Sequence, residues 1–359
     1  MGRSGGALPA RVHGMSGVLS LSVAGEGCFD GVGDFAARLA SSLEAGGVIV
    51  TRVTRDAIGS WRALPPAAGR GVVLHYVAQP FFAADLLALS AWLRRARVSG
   101  SPVVIVVHEY MPPRDTVKRR IASAAFGWAL RRLLRSATSL VVTHDVARRE
   151  LEAMGFTPGA TVVPVGSTID DAGTDAPAGT PDARPYVVMF GQPASFDAAL
   201  VAAIANRARA GIDLEVVWFT RSEREARDFC AGIGVAPEAM TIRGGRDGAE
   251  ISRAMAGALA AIAPIVDGVS TRRTSVAALL AHGLPVIGTD GACTAPELRA
   301  SGAFLLSAPD DHAAFLDHMR GVAPGRTRDI MSRAARVLHG RVFAWPAIAA
   351  SYQDLLRTA

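Results

Sequence analysis

The chain has 359 residues, of which 50% are hydrophobic, 19% charged and 6% aromatic, a balance that excludes disordered, collagen-like and low-complexity proteins. At about 100–200 residues per domain, this length predicts two domains. The net charge is +6, and three scattered cysteines (Cys28, Cys230 and Cys293) fit neither a disulfide framework nor a structural zinc site, which predicts a reducing, cytoplasmic environment.

The N-terminal residues 1–15 contain no apolar segment of the length that a signal peptide needs, so we expect them to form a loose tail. The longest apolar stretches, residues 103–107 and 256–266, are shorter than the roughly 20 residues that cross a bilayer. The sequence therefore predicts no transmembrane helix.

Short apolar runs alternate with amphipathic segments from residue 16 to residue 169. The predicted strands are 18–24, 48–53, 71–76, 102–107, 139–143 and 161–165. The predicted helices between them are 32–45, 82–96, 116–137 and 145–154. Because strands that alternate with helices form parallel sheets covered on both faces, residues 16–169 predict a Rossmann-like domain.

Residues 170–185 (DDAGTDAPAGTPDARP) lack an apolar anchor and predict an interdomain linker. The alternation then restarts and predicts a second Rossmann-like domain over residues 186–340. Its predicted strands are 186–190, 214–219, 240–242, 259–263, 285–288 and 303–306. A last amphipathic helix lies within 341–359. Ligands of such sheets bind at the carboxyl ends of the strands, so the predicted fold is α/β, with two Rossmann-like domains facing a central cleft.

Positive charge is concentrated in residues 94–149, which hold 12 basic and 3 acidic residues. An anionic membrane, a nucleic acid or a phosphorylated ligand would each explain this. The predicted helix 116–137 has an apolar face of Phe126, Leu130, Leu133 and Leu134. Its other face holds Arg120, Ile121, Trp128, Arg131, Arg132 and Arg135. That second face suits anionic lipid headgroups, or it is a solvated face on which Trp128 packs beneath the next loop.

Glycines follow the first predicted strand, in the segment AGEGCFDGVGDF. Backbone N–H groups at a helix N-terminus attract phosphate or sugar hydroxyls, and glycine allows a ligand to approach closely. The alternative is a tight strand-to-helix turn. The spacing is not G-x-G-x-x-G and no acidic residue follows at the ribose distance, so a nicotinamide enzyme is disfavoured.

Two histidines follow predicted strands of the first domain. His108 and Glu109 end the strand 102–107, where a histidine could bind a substrate hydroxyl, act as acid or base, or bond only loop carbonyls. His144 stands in an equivalent place, although Asp145 beside it also suits a helix N-cap.

The segment 264–283 (PIVDGVSTRRTSVAALLAHG) leaves a strand and enters an apolar helix of the second domain. Hydroxyl groups, two guanidinium groups and a helix N-terminus together suit a diphosphate. The alternative is a charged surface turn with Ser270 as the N-cap.

These segments resemble glycosyltransferase family 4, which has the GT-B fold, and above all its bacterial members that assemble surface polysaccharides. The resemblance rests on DGVGDFAARLA, VVIVVHE, VPVGSTI, VVMFGQ and DGVSTRRTSVAALLAHGLPVIGTDG, together with the terminal aromatic pair Phe343 and Trp345. It implies sugar transfer from a nucleotide-diphosphate donor, retaining and metal-independent, without a cofactor and without nucleic acid. It also implies that the last helix packs back towards the first domain, and it is compatible with a place at the inner face of a membrane.

The resemblance also implies roles for residues of this chain. His108 and Asp34 would act at the transferred sugar. The donor would contact Gly31, Gly33, Gly191, Arg243, Gly244, Gly268, Ser270, Arg272, Arg273, Thr274 and Ser275. The first domain would hold a glycan or lipid-linked acceptor, with Glu109 and His144 as acceptor contacts. Independently of the resemblance, the basic face of the predicted helix 116–137 predicts that Arg120, Trp128, Arg131 and Arg135 contact a membrane.

Two features of the family are absent. The stretch FGQPASFD lacks the usual Arg and Lys, and the two slots of the Glu-x7-Glu motif hold Ser270 and Ala278. We therefore expect Arg272 and Arg273 to supply the missing positive charge. A catalytically silent GT-B homologue that serves as a binding or scaffold subunit, or a sugar-nucleotide epimerase, remain alternatives to the transferase.

Overall fold

A computed structural model describes residues 16–23, 31–77, 82–108, 117–156, 159–171, 185–209 and 214–358 of the protein, without the side chains of 117–123 and 209. The predicted tail 1–15 and residues 172–184 of the predicted linker lie outside the described residues. The chain divides into two compact units, the second of which is Pro164–Ala344. The first unit extends to Val163 and also includes Trp345–Ala359, whereas the sequence placed the first boundary at residue 169.

The first unit contains a six-stranded, all-parallel sheet with the strand order β2-β1-β3-β4-β5-β6. Its strands are β1 (Val18–Ser22), β2 (Val50–Thr54), β3 (Gly71–Tyr76), β4 (Val103–Val107), β5 (Ser139–Val142) and β6 (Thr161–Val162). The two central strands, β3 and β4, are buried along their whole length. This burial explains why β4 is a continuous apolar run and why β3 is apolar apart from His75 and the hydroxyl of Tyr76.

Helices contact this sheet through β1, β4 and β5, among other strands. They are α1 (Gly31–Ala45), α2 (Arg55–Ile58), α3 (Ala83–Val98), α4 (Val117–Leu134), α5 (Asp145–Ala153) and α13 (Trp345–Thr358). Helix α3 packs against α4, and α1 packs against α13. The predicted apolar face of α4 is confirmed, because Phe126, Leu130, Leu133 and Leu134 are all buried.

The second unit contains another six-stranded parallel sheet, ordered β12-β11-β10-β7-β8-β9. Its strands are β7 (Tyr186–Phe190), β8 (Glu215–Thr220), β9 (Thr241–Gly244), β10 (Ala260–Ala263), β11 (Val286–Thr289) and β12 (Phe304–Ser307). Its helices are α6 (Ala198–Arg209), α7 (Glu223–Gly232), α8 (Gly248–Gly257), α9 (Thr274–Ala281), α10 (Pro296–Arg299), α11 (His312–Gly321) and α12 (Arg326–Leu338). The prediction of two Rossmann-like domains is confirmed.

Several strands of the second unit end later than the sequence predicts. Strands β8, β9, β11 and β12 end on Thr220, Gly244, Thr289 and Ser307, beyond the last apolar residue of each run. Backbone pairing decides where a strand ends, and Thr289 still pairs with Ser307. The opposite error occurs at β6, which ends at Val162 and not at residue 165.

No described helix is long and apolar enough to cross a membrane.

Candidate functional site

The loop after β10 in the second unit is shaped by two glycines that touch each other. Gly268 has a φ of +89°, and a Cβ at this position would lie 2.3 Å from the backbone nitrogen of Gly291. A Cβ on Gly291 would in turn lie 2.4 Å from the carbonyl carbon of Asp267. Because only glycine fits on either side, the loops after β10 and β11 approach at backbone distance.

Asp267 forms ion pairs with both arginines of this loop. One carboxylate oxygen accepts a hydrogen bond from Nη2 of Arg272, and the other accepts from Nη2 of Arg273 at 2.8 Å. Nη1 of Arg273 also donates to the hydroxyl of Ser195 at 2.8 Å. Burial opposes ionisation of Asp267, but the charges and hydrogen bonds of Arg273 and Arg272 outweigh burial and lower the pKa of this carboxyl.

The two arginines precede the start of α9. Arg273 is the N-cap residue of this helix, and its side chain makes no capping hydrogen bond. Ser270, the alternative N-cap suggested by the sequence, lies three residues too early and is fully buried. Thr274 and Ser275 open the helix, so the positive end of its dipole lies next to both guanidinium groups.

Ser270 and Ala278 occupy the two positions of the absent Glu-x7-Glu motif, and both positions are closed to solvent. Ser270 and Ala278 are both fully buried, and the Oγ of Ser270 has no hydrogen-bond partner among the described residues. The sequence also missed two polar neighbours of the cluster formed by Asp267, Arg272 and Arg273. One is Ser195, and the other is Cys293, whose backbone N–H donates to the Asp267 carbonyl at 3.0 Å. Only the close approach of the loops brings these residues together.

The other predicted donor residues of this unit lie at or beside the carboxyl ends of their strands. Gly191 follows β7 with a φ of +148°, and its carbonyl accepts a hydrogen bond from the Trp218 indole at 3.0 Å. Arg243 is exposed near the end of β9. Gly244 lies so close to α7 that a Cβ would meet the backbone nitrogen of Glu223 at 2.3 Å. This close packing is sufficient to explain why residue 244 is a glycine, so the glycine is not evidence of a ligand.

The first unit has a different kind of site at the carboxyl edge of its sheet. His75, on β3, and His108, after β4, lie with Nδ1 of His75 3.4 Å from Nε2 of His108. The ring of Phe35 on α1 meets both imidazoles edge-on, with ring centroids 5.7 and 5.2 Å away. Trp345 on α13 lies against Phe35 at 5.3 Å. The sequence analysis missed His75, although a histidine inside the apolar run of β3 was a visible signal.

Burial makes both histidines poor bases. It lowers the pKa of His108 to about 4. It also lowers the pKa of His75, and His108 lowers that pKa further. At neutral pH both imidazoles are therefore uncharged, and each offers one donor and one acceptor nitrogen.

The remaining predicted residues of the first unit differ in their surroundings. Asp34 is half-buried in the first turn of α1, where Gly33 is buried and Gly31 faces open space. Glu109 lies outside the described residues. His144 is the N-cap of α5, and its Nδ1 accepts from the N–H of Ala147 at 3.4 Å. The expectation that Asp145 forms this cap is wrong.

The outer face of α4 carries the predicted positive charge. Arg131, Arg132 and Arg135 are exposed, and Trp128 is 58% exposed with the Arg132 guanidinium 5.8 Å from its ring centroid. The alternative in which Trp128 packs beneath a loop is therefore wrong. The side chain of Arg120 lies outside the described residues.

Comparison with known proteins agrees with this architecture. Residues 81–166 match the family model of the glycosyl transferase 4-like domain. No curated protein sequence is similar enough to this chain to count as a relative.

Solved structures match over nearly the whole chain. WaaG, a glycosyltransferase involved in lipopolysaccharide biosynthesis, is 14% identical, with a TM-score of 0.57, over 94% of this chain and 99% of that chain. An α,α-trehalose-phosphate synthase (UDP-forming) from Burkholderia vietnamiensis is also 14% identical, with a TM-score of 0.62, over 97% and 100%. HepE of Anabaena, in complex with UDP and glucose, is 13% identical, with a TM-score of 0.62, over 95% and 99%. Together, these findings show that residues 81–166 match a glycosyl transferase 4-like domain and that the chain has the GT-B fold, which supports a glycosyltransferase of the family 4 type.

Proposed function

We propose that the protein transfers a sugar from a nucleoside-diphosphate donor to a hydroxyl group of a glycan or lipid-linked glycan, and that residues 268–275 bind the donor diphosphate. The observation that carries this proposal is the loop after β10. It brings Arg272 and Arg273 to the start of α9, whose N-cap side chain makes no capping hydrogen bond, and the close contact between Gly268 and Gly291 holds this loop in place.

The chemistry of transfer explains why charge is needed there. The bond between the anomeric carbon and the donor phosphate oxygen breaks, and the acceptor oxygen bonds to that carbon. The acceptor hydroxyl loses its proton to the leaving diphosphate, which gains negative charge as it departs. Guanidinium groups and the helix N-terminus stabilise that charge where it develops. In a retaining, metal-independent transfer, which we propose here, these groups supply the electrostatic stabilisation.

Asp267 moderates this positive charge. One carboxylate between two guanidinium groups leaves a net charge of +1 in the cluster, and both carboxylate oxygens are engaged. A diphosphate must therefore compete with Asp267 for its arginine contacts. Thr274 and Ser275 would add hydrogen bonds without charge, and the exposed Arg243 would add one further positive charge. Ser270, which is fully buried, is not available to the donor.

The residues of the first unit fit roles that require no charge. A neutral His108 can donate one hydrogen bond to a hydroxyl oxygen of the transferred sugar. Asp34, Gly31 and Gly33 would contact the donor or acceptor at the start of α1. Glu109 and His144 would contact the acceptor, with His144 also bound as a helix cap.

The solved structures support the choice of donor. HepE is in complex with UDP and glucose, and a trehalose-phosphate synthase from Burkholderia xenovorans is in complex with glucose-6-phosphate. We therefore propose a UDP-sugar as the first donor to test, with sugar phosphates among the acceptors.

The test is release of free nucleotide from UDP-, GDP- and dTDP-sugars, with and without a panel of sugar and sugar-phosphate acceptors. We expect acceptor-dependent nucleotide release from one donor class, and a loss of turnover in His108→Ala much larger than its loss of donor affinity. Nucleotide binding without release would instead support the silent homologue. An altered sugar on an intact nucleotide would support the epimerase.

We also propose that the outer face of α4 docks on an anionic membrane, which would bring a lipid-linked acceptor to the enzyme. Trp128 suits the headgroup region because its ring is apolar and its N–H is polar. The arginines around it attract anionic headgroups.

A further inference from the structure

His75 is a fully buried titratable group to which the proposed function assigns no role. It lies on the central strand β3, and its Nδ1 is 3.4 Å from Nε2 of His108. The two rings are nearly parallel, with an interplanar angle of 29°. The edge of Phe35 lies against both rings, and His75 is fully buried whereas His108 is half-buried.

Only one ring nitrogen of His75 has a polar contact among the described residues. Its Nδ1 faces His108, whereas its Nε2 is buried and has no hydrogen-bond partner among the described residues. A buried imidazole usually has partners on both nitrogens, because an unsatisfied polar atom costs free energy. The missing partner therefore constrains how protons are placed on the pair.

With both rings neutral, one proton lies between Nδ1 of His75 and Nε2 of His108. If His108 donates it, the proton of His75 must sit on Nε2, which leaves a buried N–H without an acceptor. If His75 donates it, Nε2 of His75 carries only a lone pair. Buried N–H groups without partners are rarer in proteins than under-satisfied acceptors, so the second arrangement is preferred.

We propose that His75 is a positioning residue that donates from Nδ1 to Nε2 of His108 and thereby keeps the proton of His108 on Nδ1. His108 then presents an N–H donor, and not a bare nitrogen, to a hydroxyl oxygen of the transferred sugar. The role towards the sugar rests on the proposed function, whereas the tautomer is a property of the protein without donor.

The experiment uses the full chain labelled with ¹⁵N in its histidines, studied by NMR without donor at neutral pH. In the wild type we expect Nε2 of His108 to give the signal of an unprotonated nitrogen and Nδ1 that of an N–H. His75→Leu removes the Nδ1–H group and fills the buried position with an apolar side chain. It should abolish the preference of His108 for this tautomer. His75→Asn is the matched variant, because its amide N–H can take the place of Nδ1–H, and it should preserve the preference.

A kinetic measurement extends the test to the reaction. We expect His75→Leu to lower kcat by about 10-fold with little change in the KM for the donor, because one oriented hydrogen bond is lost. His75→Asn should recover most of that loss. A role only in packing would predict the reverse ranking, since Leu fills the apolar site better than Asn.

A protonated Nε2 of His108 in the wild type would overturn the proposal, whatever the variants do. An unchanged His108 tautomer in folded His75→Leu would overturn it as well. If no donor supports transfer, the proposed function fails, but the spectra still decide the tautomer.

Discussion

The side chains at the carboxyl edges of the two sheets differ in charge. In the second unit, Asp267, Arg272 and Arg273 are charged and mutually paired, and all three remain partly exposed. In the first unit, His75 and His108 pack against Phe35 and carry no charge at neutral pH. One edge thus suits a phosphate group and the other suits neutral hydroxyls, although both follow from the same alternation of strand and helix.

The charged edge depends on its glycines, and Gly268→Ala should have the largest effect. The new Cβ would lie 2.3 Å from the backbone nitrogen of Gly291, at a φ of +89°. Strain and overpacking of this kind cost about 2–5 kcal/mol together. We expect a lower unfolding midpoint of the second unit in thermal denaturation and loss of nucleotide binding.

Gly232→Ala is the matched control for this substitution. Gly232 ends α7, and a Cβ there meets no atom within 4 Å. We expect it to leave nucleotide binding unchanged and to raise stability slightly, because alanine favours the helix. Equal stability of the two alanine variants would show that the loop is not held by backbone contact.

The stability of the first unit should fall at acidic pH, because His75 and His108 at its carboxyl edge are neutral when folded. The pKa of His108 is about 4 in the folded protein and about 6.5 in the unfolded chain. Because the pKa of His108 is lower in the folded protein, neutral His108 contributes to the free energy of unfolding. This contribution is fully present above pH 6.5 and is lost as the pH falls towards 4. At about 1.4 kcal/mol per pH unit, the loss is on the order of 3 kcal/mol, and His75 adds to it in the same direction.

Denaturant unfolding of the wild type and His108→Gln between pH 8 and pH 4 measures this effect. The difference between the two proteins at pH 8 gives the packing cost of the substitution. We expect that difference to shrink as pH falls, since glutamine does not titrate. Parallel curves over the whole range would contradict a neutral, buried His108.

The sequence could predict the charged edge better than the neutral one. Arg272 and Arg273 are close in the chain to Asp267, and the helix that follows is a local pattern. His75 and His108 are 33 residues apart, and the register that pairs β3 with β4 brings them together. Similarly, the sequence predicted the two sheets, but it did not predict that β8 and β9 extend to Thr220 and Gly244, because backbone pairing and not side-chain polarity ends these strands.

Removal of the charge itself should weaken donor binding. Charge-assisted contacts contribute roughly 1.5–3 kcal/mol each, and their pairing with Asp267 reduces the net gain, so we expect a loss of about 10-fold per arginine in Arg272→Ala/Arg273→Ala. Calorimetry with nucleoside diphosphates measures it. Arg224→Ala, an exposed arginine of α7 that pairs with Asp228 at 3.7 Å, is the control. Unchanged affinity in the double variant would remove these arginines from the site.

Among the residues that the structure describes, the first unit carries positive charge on the outer face of α4. Trp128, Arg131, Arg132 and Arg135 are exposed there. At roughly 1 kcal/mol per basic residue near an anionic surface, Arg131→Glu/Arg135→Glu should abolish co-sedimentation with anionic liposomes at physiological salt.

Arg224→Glu/Arg253→Glu makes the same change in net charge on exposed positions of the second unit, and it should leave liposome binding nearly unchanged. The wild type should bind more weakly as salt rises, because exposed charges are screened beyond about 10 Å at 0.1 M ionic strength. If the wild type fails to bind anionic liposomes even at low salt, α4 does not dock on membranes. The division between a charged edge in the second unit and a neutral edge in the first would then stand without a membrane face.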